Sequence, residues 1–296
     1  MKRAKFNRTI LAAVMAMALG ACGGGGSGSP EIAQAPAPSL TLAPTSQRLI
    51  AEIIASPAHI ASSPLKVNAG YAGNLPASYA IQAAGQSPIL DLLFVQGPDA
   101  REKLIAYAEA NAALLKPGTR VLVADEVFWS SGDMGADTPA VLQPKLEKLM
   151  EAVALVRTYL PEVKVGITLT PYAAENRPNT LEYSKRAITL VDWVGTDPYW
   201  MGGDNQAWLN TWARDFPIVA KGYNNNVETW YIAQGFKMPE WDTATFNAII
   251  KQQLVHAAAY DHVMVFGWQF VSEIDNRAAG MHFTSETRAL YSDYLK

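Results

Sequence analysis

Val121-Leu122-Val123-Ala124-Asp125-Glu126-Val127-Phe128-Trp129 is an apolar, β-branched run that stops on two adjacent carboxylates and two aromatic residues. A run this short, with no polar alternation, reads as a strand covered on both faces, as in a parallel sheet. Neighbouring acids at its end are costly to bury unless they are paired or used. The same pattern repeats on both sides. Apolar runs at 65–69, 89–95, 120–127, 163–169, 191–196, 216–220 and 262–268 alternate with segments of helical period, as βα units do.

The helix candidates carry starts and stops. The segment 99–116 opens with Asp99 after Pro98 and ends at Lys116-Pro117-Gly118; 138–160 opens with Thr138-Pro139 and stops before Pro161, in line with capping and breaker rules. Segments 179–190, 243–260 and 285–295 follow, with a shorter helix over 205–214. Seven strands with intervening helices fit either a (β/α)8 barrel or an open doubly wound sheet. The Gly-rich phosphate turn of a dinucleotide-binding open sheet is absent. The expected fold is therefore α/β, a TIM-like (β/α)8 barrel with an incomplete or irregular first strand in 47–60, a stretch that otherwise reads as an amphipathic helix.

Upstream of this domain, Lys2, Arg3, Lys5 and Arg8 precede an apolar run over 10–19 and then Leu19-Gly20-Ala21-Cys22. These are the three regions of an export signal, and the run is too short to span a bilayer. The tetrad resembles the lipobox of bacterial lipoproteins, which implies that Cys22, the only cysteine, is the lipid attachment point and the mature N-terminus. Gly23 in place of an aspartate points, by the same resemblance, to the outer membrane. Residues 1–21 thus read as signal peptide, 22–44 as a Gly/Ser/Pro/Ala tether unable to bury enough surface to order itself, and 45–296 as one folded domain without disulfides. The expected address is the cell envelope, with the membrane a partner through the lipid.

The whole sequence has 24 Lys and Arg against 27 Asp and Glu. Removing 1–21 takes away four of the cations and no acid, so the mature chain is at about −7. No basic tract remains, which argues against nucleic acid as a partner. His59, His256, His262 and His282 show no ligand spacing, so no metal is expected. No Gly-x-Ser-x-Gly turn occurs in the folded domain, and that disfavours a serine hydrolase. No cofactor motif is present. Aromatic residues instead gather near strand ends in the second half, a pattern suited to a polysaccharide or oligosaccharide ligand or, equally, to an ordinary aromatic core.

In a barrel, the chemistry lies just after each strand. Besides Asp125-Glu126, two strand ends stand out: Val191-Asp192-Trp193-Val194-Gly195-Thr196-Asp197-Pro198-Tyr199-Trp200 and Val265-Phe266-Gly267-Trp268. From Ile89 to Phe270 these segments resemble the (β/α)8 glycoside hydrolases that cleave β-linked sugars with retention. The resemblance implies that Glu126 is the general acid at the end of strand four, with Asp125 where asparagine is usual. It places Tyr199 after strand six and Trp268 at the end of strand eight, beneath the sugar. Trp129, Tyr172, Trp200 and Trp230 are further candidates to line the cleft, with core packing as the competing role.

The sequence departs from that pattern at the run expected as strand seven. Phe216-Pro217-Ile218-Val219-Ala220-Lys221-Gly222-Tyr223 has Lys221 where a nucleophilic glutamate would stand, and an ammonium cannot form the glycosyl intermediate. Asp197 could act with Glu126 in an inverting arrangement, or Glu228, Glu273 or Asp275 could reach the mouth. Alternatively Lys221 pairs with Glu126 or Asp197 in a cleft that binds sugar without cutting it. The expected activity is glycoside hydrolysis on an extracellular or envelope polysaccharide, against a non-catalytic binding or scaffold role on a degenerate barrel.

Overall fold

The computed structural model describes residues 47–53, 65–129, 136–200, 202, 206–238, 240–266, 278–279 and 284–295. Strands β1 (Ile50–Ile53), β2 (Ala69–Ala72), β3 (Ser87–Asp91), β4 (Arg120–Ala124), β5 (Lys164–Leu169), β6 (Trp193–Thr196), β7 (Glu228–Gln234) and β9 (His262–Phe266) close into a barrel in chain order. Every pairing round it is parallel, and β9 closes on β1 through Ile50↔Val263. This is a (β/α)8 barrel. The short β8 (Phe236–Lys237) pairs with β10 (Ala278–Ala279) as a separate antiparallel ribbon.

The helices α1 (Leu75–Ala83), α2 (Ala100–Ala110), α3 (Pro139–Tyr159), α4 (Pro171–Ala174), α5 (Pro178–Ile188), α6 (Gln206–Tyr223), α7 (Thr243–Leu254) and α8 (Ser285–Tyr294) accompany the strands. Three begin with side-chain caps, the first at α1, where Asn74 accepts from the Ala77 amide at 3.0 Å. Asp242 accepts from the Thr245 amide at 2.7 Å, and Thr284 accepts from the Thr287 amide at 3.1 Å, each satisfying an amide that the first helical turn leaves open.

The strand expected over 216–220 is not a strand. It lies inside α6, and the barrel's seventh strand is Glu228–Gln234. Leu209, Trp212, Ala213, Phe216 and Ala220 are buried at helical spacing along α6, so the apolar run is one stripe of a longer amphipathic helix. The true strand begins with a glutamate and ends with a glutamine, so it does not stand out as an apolar run. Smaller shifts occur elsewhere. The second strand starts at Ala69 rather than Leu65, because Asn68 is occupied with the backbone of the first: it accepts from the Ile50 amide at 2.8 Å and donates to the Arg48 carbonyl at 2.9 Å. The ambiguous 47–60 supplies β1 over its described part, and that strand is only four residues long.

Two cores result. One fills the space between barrel and helices; the other fills the barrel with Ala51, Ala69, Ile89, Leu122, Trp193, Trp230, Ile232 and Met264. The Trp193 indole lies across Gly166 on the next strand, where an added Cβ would stand 1.9 Å from the ring. Only glycine leaves room for it. Below the indoles the barrel is sealed at the strands' amino ends. Glu228 accepts from Arg120 at 2.7 Å and from Lys164, and His262 lies 3.5 Å away. The Arg120 guanidinium also sits 5.6 Å above the Trp230 ring, a cation–π contact. With the floor closed, access to the barrel interior is from the carboxyl ends of the strands.

Candidate active site

A cavity of about 320 Å³ lies at those carboxyl ends, toward the small end of the roughly 300–1,000 Å³ usual for ligand sites. Nearly every barrel strand contributes to it. Ile53 comes from β1, Tyr71 from β2, Leu122 from β4, Thr168 from β5, Ile232 from β7, and Met264 and Phe266 from β9; Asp125, Glu126, Asp197, Tyr199 and Phe236 follow strand ends. Trp193 forms part of the base. The strands stop here because their last residues turn to side-chain partners. Glu126 adopts a left-handed backbone at φ 44°, an unfavourable conformation for a residue with a side chain, and its amide donates to Thr168 Oγ1 at 2.7 Å. The same hydroxyl donates to the Asp125 carboxylate. Thr168 thus fixes both acids from the neighbouring strand.

Three carboxyl groups meet at the cavity. Asp197 is buried, and its carboxyl is in hydrogen-bond contact with that of Glu126. Two carboxyls in contact cannot both ionise, so the pair holds a proton. Burial, then the charges of Glu126 and Asp125, push the Asp197 carboxyl well above the ordinary aspartate range. Burial also raises Glu126; the hydrogen bond from Asp197 offsets part of that, and the charge of Asp125 adds to it. Asp125 faces the open mouth, yet the surrounding walls raise it too, against the lowering effect of the Thr168 hydrogen bond. One proton is thus shared by the Asp197–Glu126 pair, and half-buried Glu126 is the member nearer to solvent. Burial, followed by the charges of the three acids, keeps the Tyr199 phenol neutral.

One wall is aromatic. Tyr199 stacks on Phe266 with centroids 5.7 Å apart and meets Phe236 edge-on at 5.2 Å. Tyr71 donates to Asp91 at 2.8 Å, which holds its ring at the rim. Aromatic rings beside a carboxyl cluster can pack against the C–H face of a sugar while the carboxyls offer acceptors and a proton to its oxygens.

Of the residues singled out in the sequence, Asp125, Glu126, Asp197 and Tyr199 come together here. Others do not. Trp200 turns outward, stacks on Trp241 at 5.3 Å and packs against the helix-side core, as Trp129 does. Trp230 is fully buried inside the barrel against His262, so it is core and not a platform. Lys221 lies in the last turn of α6 and bonds Asp261 at 2.7 Å, at the floor end just before β9; it reaches neither Glu126 nor Asp197. Glu228 is also at the floor, where burial opposes its ionisation but hydrogen bonds from His262, Arg120 and Lys164, with the Arg120 charge, hold it well below the usual range. Tyr172 falls within α4, and its side chain is outside the described residues, as are Cys22, Trp268, Glu273 and Asp275. Tyr71, Thr168, Phe236 and Phe266 were not singled out. Thr168 sits within an apolar strand where no sequence signal marks it, whereas Phe266 is visible as the last residue of an apolar run.

The seventh strand ends at Gln234, which is buried and is not among the residues that line the cavity. Its Oε1 accepts from the Trp200 amide at 2.9 Å, and its Nε2 donates to the Trp200 and Phe236 carbonyls at 3.2 Å each. Gln253 adds a donor to the same Oε1 at 3.3 Å. This amide bridges β7 to the loop that carries Asp197 and Tyr199.

Among solved structures, the chain is similar to a psychrophilic glycoside hydrolase family 10 endo-β-1,4-xylanase, with a TM-score of 0.54 and 10% identity over 84% of this chain and 96% of that one. It is also similar to a thermostable mutant of a xylanase from Cellvibrio japonicus, with a TM-score of 0.52 and 11% identity over 79% and 92% of the two chains. The fold is the (β/α)8 barrel seen in glycoside hydrolases. At this identity the likeness is one of fold. No protein-family model and no curated protein matches the sequence.

Proposed function

We propose that this chain is a lipid-anchored, glycoside-hydrolase-like protein acting on an extracellular or envelope polysaccharide, with Glu126 as the acid that protonates the leaving oxygen. The observation that carries this reading is the Glu126–Asp197 pair, which holds one proton at the mouth of a barrel beside an aromatic wall. The pair's proton leaves through Glu126, the member nearer to solvent, and is restored from water. General acids for glycosidic cleavage are carboxyls whose proton affinity is raised in this way.

In this reading Asp197 is not the second carboxylate. An inverting pair needs about 6.5 to 9.5 Å between carboxyls to admit a water, and a retaining pair about 5 to 5.5 Å, whereas these two are in contact. That contact, together with an amide at Gln234, favours a second reading: a barrel that binds sugar without cutting it.

A screen of the mature protein against β-glycans separates the two, scoring reducing-end release and binding in parallel. Release that disappears in Glu126→Gln supports the acid role. Binding without release supports the second reading, and neither binding nor release rejects a carbohydrate function. The anchor is tested by membrane fractionation of Cys22→Ser, which is expected to move the protein from the membrane pellet to the soluble fraction; retention in the pellet would reject lipidation at Cys22.

A further inference from the structure

The mouth has a charge pattern that proton donation by Glu126 does not require. Asp125, Glu126 and Asp197 all line the cavity, and no lysine, arginine or histidine is among its described lining. Arg120 and Lys164 belong to the opposite end of the barrel and are engaged by Glu228. Asp197 is 7% exposed, and its Oδ1 is buried without a hydrogen-bond partner. A buried acceptor left open is costly, and here it borders a cavity from which a ligand can supply the donor.

The ring faces of Tyr71, Tyr199, Phe236 and Phe266 add a second feature of the same sign. Aromatic faces carry negative potential and attract cations as well as sugar C–H groups. A uronic acid would bring a further carboxylate against this acid cluster, which has no counter-charge among the described lining residues, a repulsion strengthened by the low-dielectric walls. A protonated amine would instead meet several acceptors in charge-assisted hydrogen bonds, about twice as strong as neutral ones.

Resting on the reading of this cavity as a sugar site, we propose that it selects an amino sugar with a free ammonium group, held by Asp197 Oδ1 and the Asp125 and Glu126 carboxylates, over neutral sugars, and that it rejects uronic acids. This assigns a substrate class: glycans whose hexosamine units are at least partly free of N-acetyl groups.

The test is calorimetric titration of the full chain with four probes: β-1,4-linked trimers of glucosamine, N-acetylglucosamine and glucose, and an oligoglucuronate of equal length. The expected result is glucosamine-trimer binding at least about tenfold tighter than that of either neutral trimer. That preference should shrink as salt is raised and fall in both Asp125→Asn and Glu126→Gln, each first shown by circular dichroism to be folded. A neutral trimer that binds as tightly as the glucosamine trimer, or measurable binding of the oligoglucuronate, overturns the inference while leaving the sugar site intact. A trilysine peptide that binds as well as the glucosamine trimer overturns it too, by showing cation attraction without sugar recognition. Failure of all the trimers removes the sugar reading itself and the inference with it.

Discussion

At Asp197, burial and the charges of Glu126 and Asp125 act in the same direction, so the native protein binds its proton more tightly than the unfolded chain does. The linkage sign follows. Stability is greatest while both states are protonated, and it falls as pH rises above the ordinary aspartate range toward the raised native titration. Asp197→Asn removes this loss and keeps a donor facing Glu126. Urea midpoints measured from about pH 4 to about pH 8 should therefore shift in favour of the variant as pH increases; parallel curves would show that Asp197 carries no excess proton affinity. Asp125, Glu126 and Asp197 were legible in the sequence because they stand at the ends of apolar runs, and Tyr199 through the resemblance that places a tyrosine after strand six. Trp200 was not, because adjacent residues at a strand end point to opposite faces. Tyr199 took the inner face, so Trp200 went outward to Trp241.

At the scale of elements, the reassignment of 216–220 changes the chemistry that can be asked of the fold. Once that run is a turn of α6, Lys221 leaves the site and the seventh strand ends at Gln234. Gln234→Glu would place a carboxylate at the carboxyl end of the seventh strand. The backbone forbids a simple gain, because the Gln234 Nε2 donates to two carbonyls, those of Trp200 and Phe236, and an ionised glutamate would set acceptor against acceptor. Losing a buried donor of this kind costs about 1–3 kcal/mol. The variant should unfold at lower urea and release no additional reducing ends; a clear gain in release at unchanged stability would show that the mouth tolerates a carboxylate there. Most helices were legible from apolar period and from Pro, Asp and Thr at their starts. The seventh strand was not, since its ends are polar for tertiary reasons: Glu228 belongs to the floor cluster, and Gln234 to the loop after β6.

For the molecule as a whole, the two ends of the barrel respond to acid in opposite ways. Glu228 is held below its ordinary range in the native state, so its contribution is fully present above the unfolded glutamate value and is lost as pH falls through and below it. Glu228→Gln leaves Arg120 facing a neutral amide at a site where the glutamate side chain is 15% exposed. Breaking a largely buried pair from one side costs roughly 3 kcal/mol. Chemical denaturation near neutral pH should show a loss of that order, and the gap from the parent should narrow as pH is lowered. A variant as stable as the parent at neutral pH would mean that the floor cluster is dispensable.

The sequence by itself determined the alternation of strands and helices, which fits a barrel or an open sheet, because burying one face of each element leaves a periodic trace in a single segment. It also placed the acids of the mouth, since a carboxylate after an apolar run marks a strand's end. Only the tertiary structure decided which of those acids touch, that Asp197 and Glu126 share a proton, that Glu228 and Lys221 belong to the floor end, and that Gln234 spans two strands' loops. Each of those facts depends on distances between residues far apart in the chain, set by closing the barrel, and a local pattern carries no record of them.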